Sequence, residues 1–237
     1  PHNPAPTACG HSHTIFFMTT IPYVPPPRSV LHYPYVDDDL LVVVKPSGLL
    51  SVPGRGAEKS DCLLSRVRDD YPDALIVHRL DMETSGLLIL ARNPVAHRAL
   101  SMQFQARQVS KLYIAVVDGL IESDQNEIAH PLITDWPNRP LQKVDRSLGK
   151  PSLTRYRVVQ RQPDENLTRV ELEPVTGRSH QLRVHLMSIG HPILGDALYG
   201  RPDAVARADR LMLHASRLSL THPASAQTLV LASPSPF

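Results

Sequence analysis

The segment from Val77 to Ala91 constrains this chain most, because a polar cluster in it runs directly into an apolar stretch. The apolar half, from Gly86 onward, is short, continuous and rich in Leu and Ile, which is typical of a buried strand. Asp81 lies in the polar half, and a carboxylate beside a core strand is costly to bury unless another group pairs with it. The segment therefore predicts a loop and a strand in which Asp81 has a partner.

Asp81 has two interpretations on local sequence alone. Aspartate is common in turns, where its carboxylate accepts hydrogen bonds from nearby backbone N–H groups. A second polar segment, residues 175–186, supplies Arg178 and Arg183, and its apolar spacing predicts a helix that ends at Gly190. An arginine paired with Asp81 in a cleft would keep the acid ionised, and an ionised, desolvated carboxylate is a competent nucleophile or base.

The remaining elements follow from apolar periodicity and from the positions of helix and strand breakers. Strands are predicted at residues 40–44, 111–117, 154–161, 168–174, 218–220 and 229–231, and helices at residues 61–71 (capped by Ser60), 94–107 and 202–210. Tyr113 points away from the face that carries Leu112 and Ile114, which leaves open whether it is a core aromatic or a functional residue. Residues 121–152 are loop-rich and form a candidate insertion over the active site.

Composition narrows the class of protein. The chain has 237 residues, 42% of them hydrophobic, and a net charge of +2, so it can build a substantial core but its charge alone does not establish a nucleic-acid partner. Two cysteines argue against a disulfide framework and suit a reducing compartment, so we expect a cytoplasmic protein. No apolar run approaches the roughly 20 residues that a membrane span needs, and the first residues lack a signal-peptide pattern.

The N-terminal region differs from the rest of the chain. Residues 1–27 are rich in proline and are predicted to form a disordered arm. Met18 is a more plausible start than Pro1, so we expect that removing residues 1–17 leaves folding and activity intact. Residues 28–237 contain no internal repeat and no clear boundary, which predicts a single domain.

Motifs of several common chemistries are missing from the sequence. No G-x-S-x-G or G-x-G-x-x-G occurs, which argues against a hydrolase elbow and a dinucleotide site. His180 and His185 are five residues apart, which places them on different faces of a helix. The His-x-His at positions 11 and 13 lacks the further ligands that a metal site needs. No metal or cofactor is therefore predicted.

Several motifs in order carry a resemblance to a known family. They are His78-Arg79-Leu80-Asp81, Thr84-Ser85-Gly86-Leu87, Lys45-Pro46-Ser47-Gly48-Leu49, Lys111-Leu112-Tyr113, residues 176–185 and residues 190–196. Together they cover the chain from about Val36 to its last residues and resemble the RluA family of pseudouridine synthases. Agreement among several motifs is far more specific than a single pattern.

The resemblance implies a fold and a reaction. The fold is a mixed α+β catalytic domain over residues 28–237, with a long, largely antiparallel central sheet flanked by helices and no S4 domain. The reaction is isomerisation of uridine to pseudouridine in RNA, which moves the glycosidic link from N1 to C5 without cofactor or metal. Asp81 would be the essential carboxylate, acting on the ribose or the ring. Tyr113 would stack under the base and serve in proton transfer, and Arg183 would pair with Asp81.

The resemblance also implies how RNA is held. Arg79 would fill the space that the target nucleotide leaves when it flips out of its stack. The other implied RNA-binding positions are His78, Lys45, Arg178 and His180. The loop at residues 135–140 resembles that of a member acting on a 23S rRNA stem-loop and a tRNA anticodon loop. We therefore expect a monomeric enzyme whose partner is RNA of one or both kinds, with no membrane partner.

Two other classes of function stay open at this point. The first is a non-catalytic RNA-binding protein with the same fold, and the second is a metal-dependent nuclease that uses His and Asp. The full set of Asp81, Tyr113 and Arg183 favours an enzyme over a binding protein. One departure from the family pattern is Val44, which precedes Lys45 where relatives often carry asparagine.

Overall fold

A computed structural model describes residues 22–237 and contains twelve strands and four α-helices in this range. The strands are β1 (Tyr35–Val36), β2 (Leu40–Lys45), β3 (Leu75–Ile76), β4 (Ser85–Ala91), β5 (Ser110–Asp118), β6 (Gln125–Ile128), β7 (Leu132–Thr134), β8 (Gln142–Val144), β9 (Thr154–Gln162), β10 (Leu167–Pro174), β11 (Leu213–Thr221) and β12 (Thr228–Ala232). The helices are α1 (Leu63–Asp70), α2 (Pro94–Gln105), α3 (Gln181–Ser188) and α4 (Pro202–Ala206).

Ten of these strands form one sheet. Its order is β1-β2-β4-β11-β5-β10-β9-β6, with β12 paired to β11 and β3 paired to β4. Every pairing is antiparallel except the short parallel pairing of β4 with β11. The predicted α+β class with a long, largely antiparallel sheet is therefore confirmed.

The alternation of side chains along β2 and β4 places helices on both faces of this part of the sheet. Leu41 and Leu88 pack in a core cluster with α1, whereas Leu40 and Leu87 pack in a second cluster with α2. Because successive strand residues point to opposite faces, two apolar faces need two covering helices. Because β4 is covered on both faces, it is buried along its whole length and its sequence is a continuous apolar run.

Gly86 is required where the two parallel strands approach each other. Its φ is 114°, and a Cβ at this position would overlap the backbone of Ala215 on β11. Glycine adopts this backbone region without the penalty that other residues meet. The glycine in the opening motif thus joins β4 to the second half of the sheet.

The helices begin where sequence signals place them, with one correction. The side chain of Asn93 accepts the N–H of Ala96 and caps α2, as predicted for the Asn-Pro pair. For α1 the cap is Cys62 and not Ser60, because Ser60 donates its hydroxyl to Ala57 in a preceding 3₁₀ turn. None of the helices in residues 22–237 is long and apolar enough to cross a bilayer.

The loop-rich stretch contains more regular structure than the sequence indicates. Within it, β6 pairs with β9 at the edge of the large sheet, and β7 and β8 form a separate two-stranded hairpin. These strands have three or four residues each, which is too short for a periodic signal to be recognised. The hairpin contacts α3, so it lies beside the candidate site described below.

The predicted arm falls mostly outside the described residues. Residues 22–27 have no helix or strand, but they are held against the domain. The Tyr23 hydroxyl donates to the carbonyl of Asp61, and the Arg66 guanidinium donates to the carbonyl of Pro26. This short part therefore differs from the disordered arm that its proline content predicts, because a buried arginine uses its carbonyls as acceptors.

Candidate active site

A cleft of about 510 Å³ lies between the loop before β4, the end of α2, the start of β5 and the segment that leads into α3. Its charged lining residues are Arg79, Asp81, Arg107, Lys111, Arg178 and Arg183. Asp81 is thus the sole carboxylate among the described residues that line it. The lining of the cleft therefore places one acid among several positive charges.

Three side chains from the turn after β2 hold the loop that carries Asp81. Lys45 Nζ donates to the carbonyl of Met82 over 2.8 Å, and Ser47 Oγ donates to the carbonyl of Glu83 over 2.6 Å. Ser51 Oγ donates to the carbonyl of Leu80 over 2.7 Å. The carbonyls on both sides of Asp81 are therefore fixed, which sets the direction of its side chain.

Lys45 does not occupy the RNA-binding role that the resemblance implies. Its side chain is 0% exposed, and its ammonium also donates to the carbonyls of Pro46 and Leu49. Burial lowers the pKa of Lys45 to about 7, against the opposing charges of Glu83 and Asp81. The residue positions the Asp81 loop, and Val44 does not impair this turn because Lys45 and Ser47 supply its bonds.

Arg183 bridges two carboxylates instead of pairing with Asp81 alone. Its Nε and Nη2 donate to Asp196 over 2.8 and 2.6 Å, in the bidentate geometry that fits a carboxylate. Its Nη1 lies 3.5 Å from Asp81 Oδ2. Arg183 is 3% exposed and Asp81 is 29% exposed, so the guanidinium lies in the protein interior and the carboxylate faces the cleft. The pKa of Arg183 is raised although burial alone lowers it, because Asp196 accepts two of its hydrogen bonds.

His180 stands on the other side of Asp81, at the N-terminus of α3. Its backbone is left-handed, with a φ of 53°, and its Nε2 lies 4.0 Å from Asp81 Oδ1. The preceding loop is closed by Gln181, whose Oε1 accepts the N–H of Arg178 and the hydroxyl of Thr176. Burial lowers the pKa of His180 although the charge of Asp81 raises it. His180 therefore faces the carboxylate as a neutral imidazole at neutral pH.

Tyr113 lies on β5 between Leu172 of β10 and Ala215 of β11, and it lines the cleft. Burial and the nearby charge of Asp81 raise the pKa of its phenol. The hydroxyl thus keeps its proton at neutral pH and acts as a hydrogen-bond donor in this state. Its ring offers an aromatic face beside the catalytic candidate, which suits stacking under a base.

His78 lines the cleft and is half-buried, and its ring is engaged within the protein, so its implied RNA contact stays a prediction. Its Nε2 accepts the N–H of Ile89 over 2.9 Å, and its ring stacks on Phe104 with 4.4 Å between centroids. Burial, and then the charge of Lys111, lower the pKa of His78 to about 3. A neutral ring with one nitrogen used by β4 offers no positive charge to a phosphate.

The two remaining RNA-binding candidates, Arg79 and Arg178, are exposed at the cleft. Among the described residues, the Arg178 guanidinium has only long hydrogen bonds of 3.4 Å to the carbonyl of Pro151. A guanidinium on a cleft wall can stack on a base and bind a phosphate at once. Both residues stay candidates for RNA contact.

A cluster that could hold a metal lies elsewhere in the described residues. Ligand atoms of Asp37, Asp39 and His222 lie within 4.8 Å of one another. None of the three lines the cleft. The Asp37 carboxylate already accepts hydrogen bonds from Tyr35, from two backbone N–H groups and from His222, so this cluster closes a turn.

Sequence reasoning missed Asp196 and Tyr199, although both lie in or next to a quoted motif. Asp196 is 1% exposed and takes the bidentate bonds of Arg183. The Tyr199 hydroxyl is 2.6 Å from His180 Nδ1. A usable signal existed for Asp196, since an arginine on the inner face of a helix requires a buried acid. None existed for Tyr199, whose contact depends on how the chain returns after α3.

Comparison with known proteins shows the family of this chain. Residues 39–188 match the family model described as RNA pseudouridylate synthase. The chain is 50% identical over 215 residues to the dual-specificity RNA pseudouridine synthase RluA of Escherichia coli (strain K12), covering 91% of this chain and 98% of that protein. The chain belongs to the RluA family of RNA pseudouridine synthases. The resemblance seen in the sequence motifs is thereby confirmed, and the protein is an isomerase that acts on uridine in RNA.

Other relatives support the same family. The chain is 52% identical over 211 residues to the protein of the same name in Vibrio parahaemolyticus, covering 88% of this chain and 84% of that one. The structure is similar to that of human RNA pseudouridylate synthase domain containing 1, with a TM-score of 0.75 and 32% identity over 90% of this chain and 87% of that chain. The shared fold is therefore accompanied by sequence similarity across most of the chain.

Proposed function

We propose that this RNA pseudouridine synthase modifies uridines in two kinds of RNA, a 23S rRNA stem-loop and a tRNA anticodon loop, with Asp81 as its essential carboxylate. The observation that carries the role of Asp81 is its position 3.5 Å from Arg183 in a cationic cleft, where it is the one acid that residues 22–237 contribute. The two substrates are proposed because relatives about 50% identical are named as dual-specificity enzymes.

Isomerisation of uridine to pseudouridine requires few protein groups. The N1–C1′ bond of uridine breaks, a C5–C1′ bond forms, and a proton moves from C5 while N1 gains one. An ionised carboxylate acts on the ribose or the ring. Hydrogen-bond donors and acceptors of the protein take up and deliver the protons. Asp81 supplies the carboxylate, and Tyr113 supplies an aromatic face and a hydroxyl at the same cleft. No step needs a redox group or a metal ion.

Access to the uridine requires that the base leave its stack. A stacked base hides the atoms that react, and extrusion costs a few kcal/mol. Arg79 is exposed at the cleft, two residues before Asp81, so it can fill the gap left by the base. Arg107, Lys111 and Arg178 surround the cleft with positive charge that suits the phosphates of a single-stranded loop.

The test compares Asp81→Asn with the wild type on two synthetic stem-loops, one from 23S rRNA and one from a tRNA anticodon arm. Wild type should form pseudouridine in both, whereas Asp81→Asn should bind both and form none. Asp164→Asn, an exposed residue of the turn between β9 and β10, is the matched control and should behave as wild type. Substantial turnover by Asp81→Asn would refute its role, and modification of only one RNA would refute dual specificity.

The two alternatives that the sequence motifs left open would give different outcomes in this assay. Binding of both RNAs without pseudouridine would indicate a non-catalytic RNA-binding protein. Strand cleavage that stops in EDTA would indicate a nuclease, and activity in EDTA without cleavage is expected. A monomeric state and a cytoplasmic location remain predictions, which sedimentation and cell fractionation would check. Mapping pseudouridine in total RNA with and without the gene would identify the natural uridines.

A further inference from the structure

Tyr199 lies behind His180 and does not line the cleft. Its hydroxyl is 2.6 Å from His180 Nδ1 and 2.9 Å from the backbone nitrogen of Gln142 at the start of β8. Its ring lies 5.1 Å from the guanidinium carbon of Arg183. Tyr199 thus contacts both groups that flank Asp81, and the hairpin beside the site holds it there.

The hydrogen bonds of this hydroxyl leave one arrangement in which its oxygen, its hydrogen and His180 Nδ1 are all paired. The N–H of Gln142 can only donate, so the hydroxyl accepts that bond. Burial raises the pKa of Tyr199 to about 12, so its own hydrogen stays in place. In the described residues His180 Nδ1 is the acceptor within reach. If Nδ1 carried the hydrogen instead, the phenol O–H would lose its partner.

The consequence concerns the other ring nitrogen. A neutral imidazole that accepts at Nδ1 carries its hydrogen at Nε2. This nitrogen faces Asp81 Oδ1 at 4.0 Å. The opposite tautomer would turn a lone pair toward the carboxylate, and two centres of negative charge would then face each other.

We propose that Tyr199 is a positioning residue that holds His180 as its Nε2–H tautomer, so that Asp81 lies between an imidazole N–H and the guanidinium of Arg183. The inference rests on the proposed role of Asp81 as the essential carboxylate. It assigns to Tyr199 and Gln142 a part in the reaction although neither reaches the substrate cleft. The arrangement resembles other sites in which the partner of one imidazole nitrogen decides what the second nitrogen can do.

The direct test reads the tautomer by ¹⁵N NMR of histidine-labelled protein. Wild type should show His180 protonated at Nε2 at neutral pH. Tyr199→Phe keeps the ring beside Arg183 and removes the hydroxyl, so His180 should become a mixture of tautomers. Tyr71→Phe removes a hydroxyl from a partly buried tyrosine that directly follows α1 and packs against the core cluster there, and it should leave the spectrum of His180 unchanged.

Turnover provides the second readout. Loss of a hydrogen bond of ordinary strength corresponds to roughly threefold to tenfold, so kcat of Tyr199→Phe should fall by that factor or more. Its KM for RNA should stay as in wild type, since Tyr199 does not line the cleft, whereas a general loss of structure would lower the amount of active enzyme at unchanged kcat per site. Active-site titration separates these two cases.

Each result bears on the inference separately from the proposed function. A wild-type His180 protonated at Nδ1, or an unchanged tautomer in Tyr199→Phe, would overturn it. A tautomer change with an unchanged kcat would also overturn it, because the tautomer would then have no catalytic consequence. If Asp81→Asn remained active while the tautomer behaved as expected, the proposed role of Asp81 would fail and the structural part of the inference would stand.

Discussion

Arg183 gives its two best-directed nitrogens to Asp196 and leaves only Nη1 for Asp81, at 3.5 Å. Asp196 therefore fixes the guanidinium of Arg183, whose positive charge lies behind a partly exposed acid. Such an arrangement leaves the oxygens of Asp81 free to approach a substrate while an opposing charge stays nearby. A bidentate pair between Arg183 and Asp81 would have occupied the same oxygens.

Asp196→Asn should be strongly destabilising. It leaves the guanidinium of Arg183, which is 3% exposed, without its bidentate acceptor, and breaking a buried pair costs about 3–5 kcal/mol. Denaturant unfolding would measure the loss. The control is Asp203→Asn, whose ion pair with Arg201 at 3.6 Å is exposed and should contribute about 1 kcal/mol or less. Equal losses for both variants would contradict the structural role of Asp196.

Lys45→Met should impair catalysis although Lys45 does not contact the RNA. Three carbonyls lose their donor, and one of them belongs to Met82 beside Asp81. Unpaired buried groups cost about 1–3 kcal/mol each, so both stability and kcat should fall while the RNA Kd stays similar. Lys59→Met, outside the cleft on a short 3₁₀ turn, is the control. A variant that bound RNA poorly but kept kcat would restore Lys45 to the RNA-binding residues.

Tyr113→Phe should bind RNA but turn over slowly. The variant keeps the aromatic face at the cleft and loses the hydroxyl, which is protonated at neutral pH because its pKa is raised. Loss of a positioned proton donor or acceptor typically slows a reaction by about 100-fold or more. Single-turnover kinetics with a labelled stem-loop would measure this. A rate near that of wild type would remove the hydroxyl from the mechanism and leave only stacking.

His78→Gln should make the protein less sensitive to mild acid. Burial lowers the pKa of His78 to about 3, so between pH 6.5 and 3 the unfolded chain binds the proton that the folded chain excludes. The free energy of unfolding therefore falls as the pH falls. His78 alone accounts for a loss of about 2 kcal/mol between pH 6.5 and 5. Unfolding free energies of both proteins at the two pH values would test this. Equal losses would show that His78 is not the buried neutral group.

Individual residues show which parts of the fold and the site could be predicted from the sequence. The helix that follows Asn93-Pro94 and the strand from Gly86 were predicted closely, because caps and apolar runs are local signals. The short strands β6, β7 and β8 were not, since their pairing partners rather than their own residues define them. Lys45 and His78 were placed with the RNA-binding residues because the resemblance implies that role. The burial of Lys45 and the hydrogen bond of His78 to Ile89 depend on which carbonyls and N–H groups the folded chain brings near.

The sequence by itself determined the family through its motifs, and the resemblance to that family implied the α+β class and singled out Asp81 and Tyr113 as the residues to test. The tertiary structure decided that Asp196 takes the bidentate bonds of Arg183 and that Tyr199 meets His180. Both contacts join α3 and its N-terminal residue to the segment that follows the helix. Hydrogen-bond direction and distance exist only in three dimensions, so no local pattern could specify them.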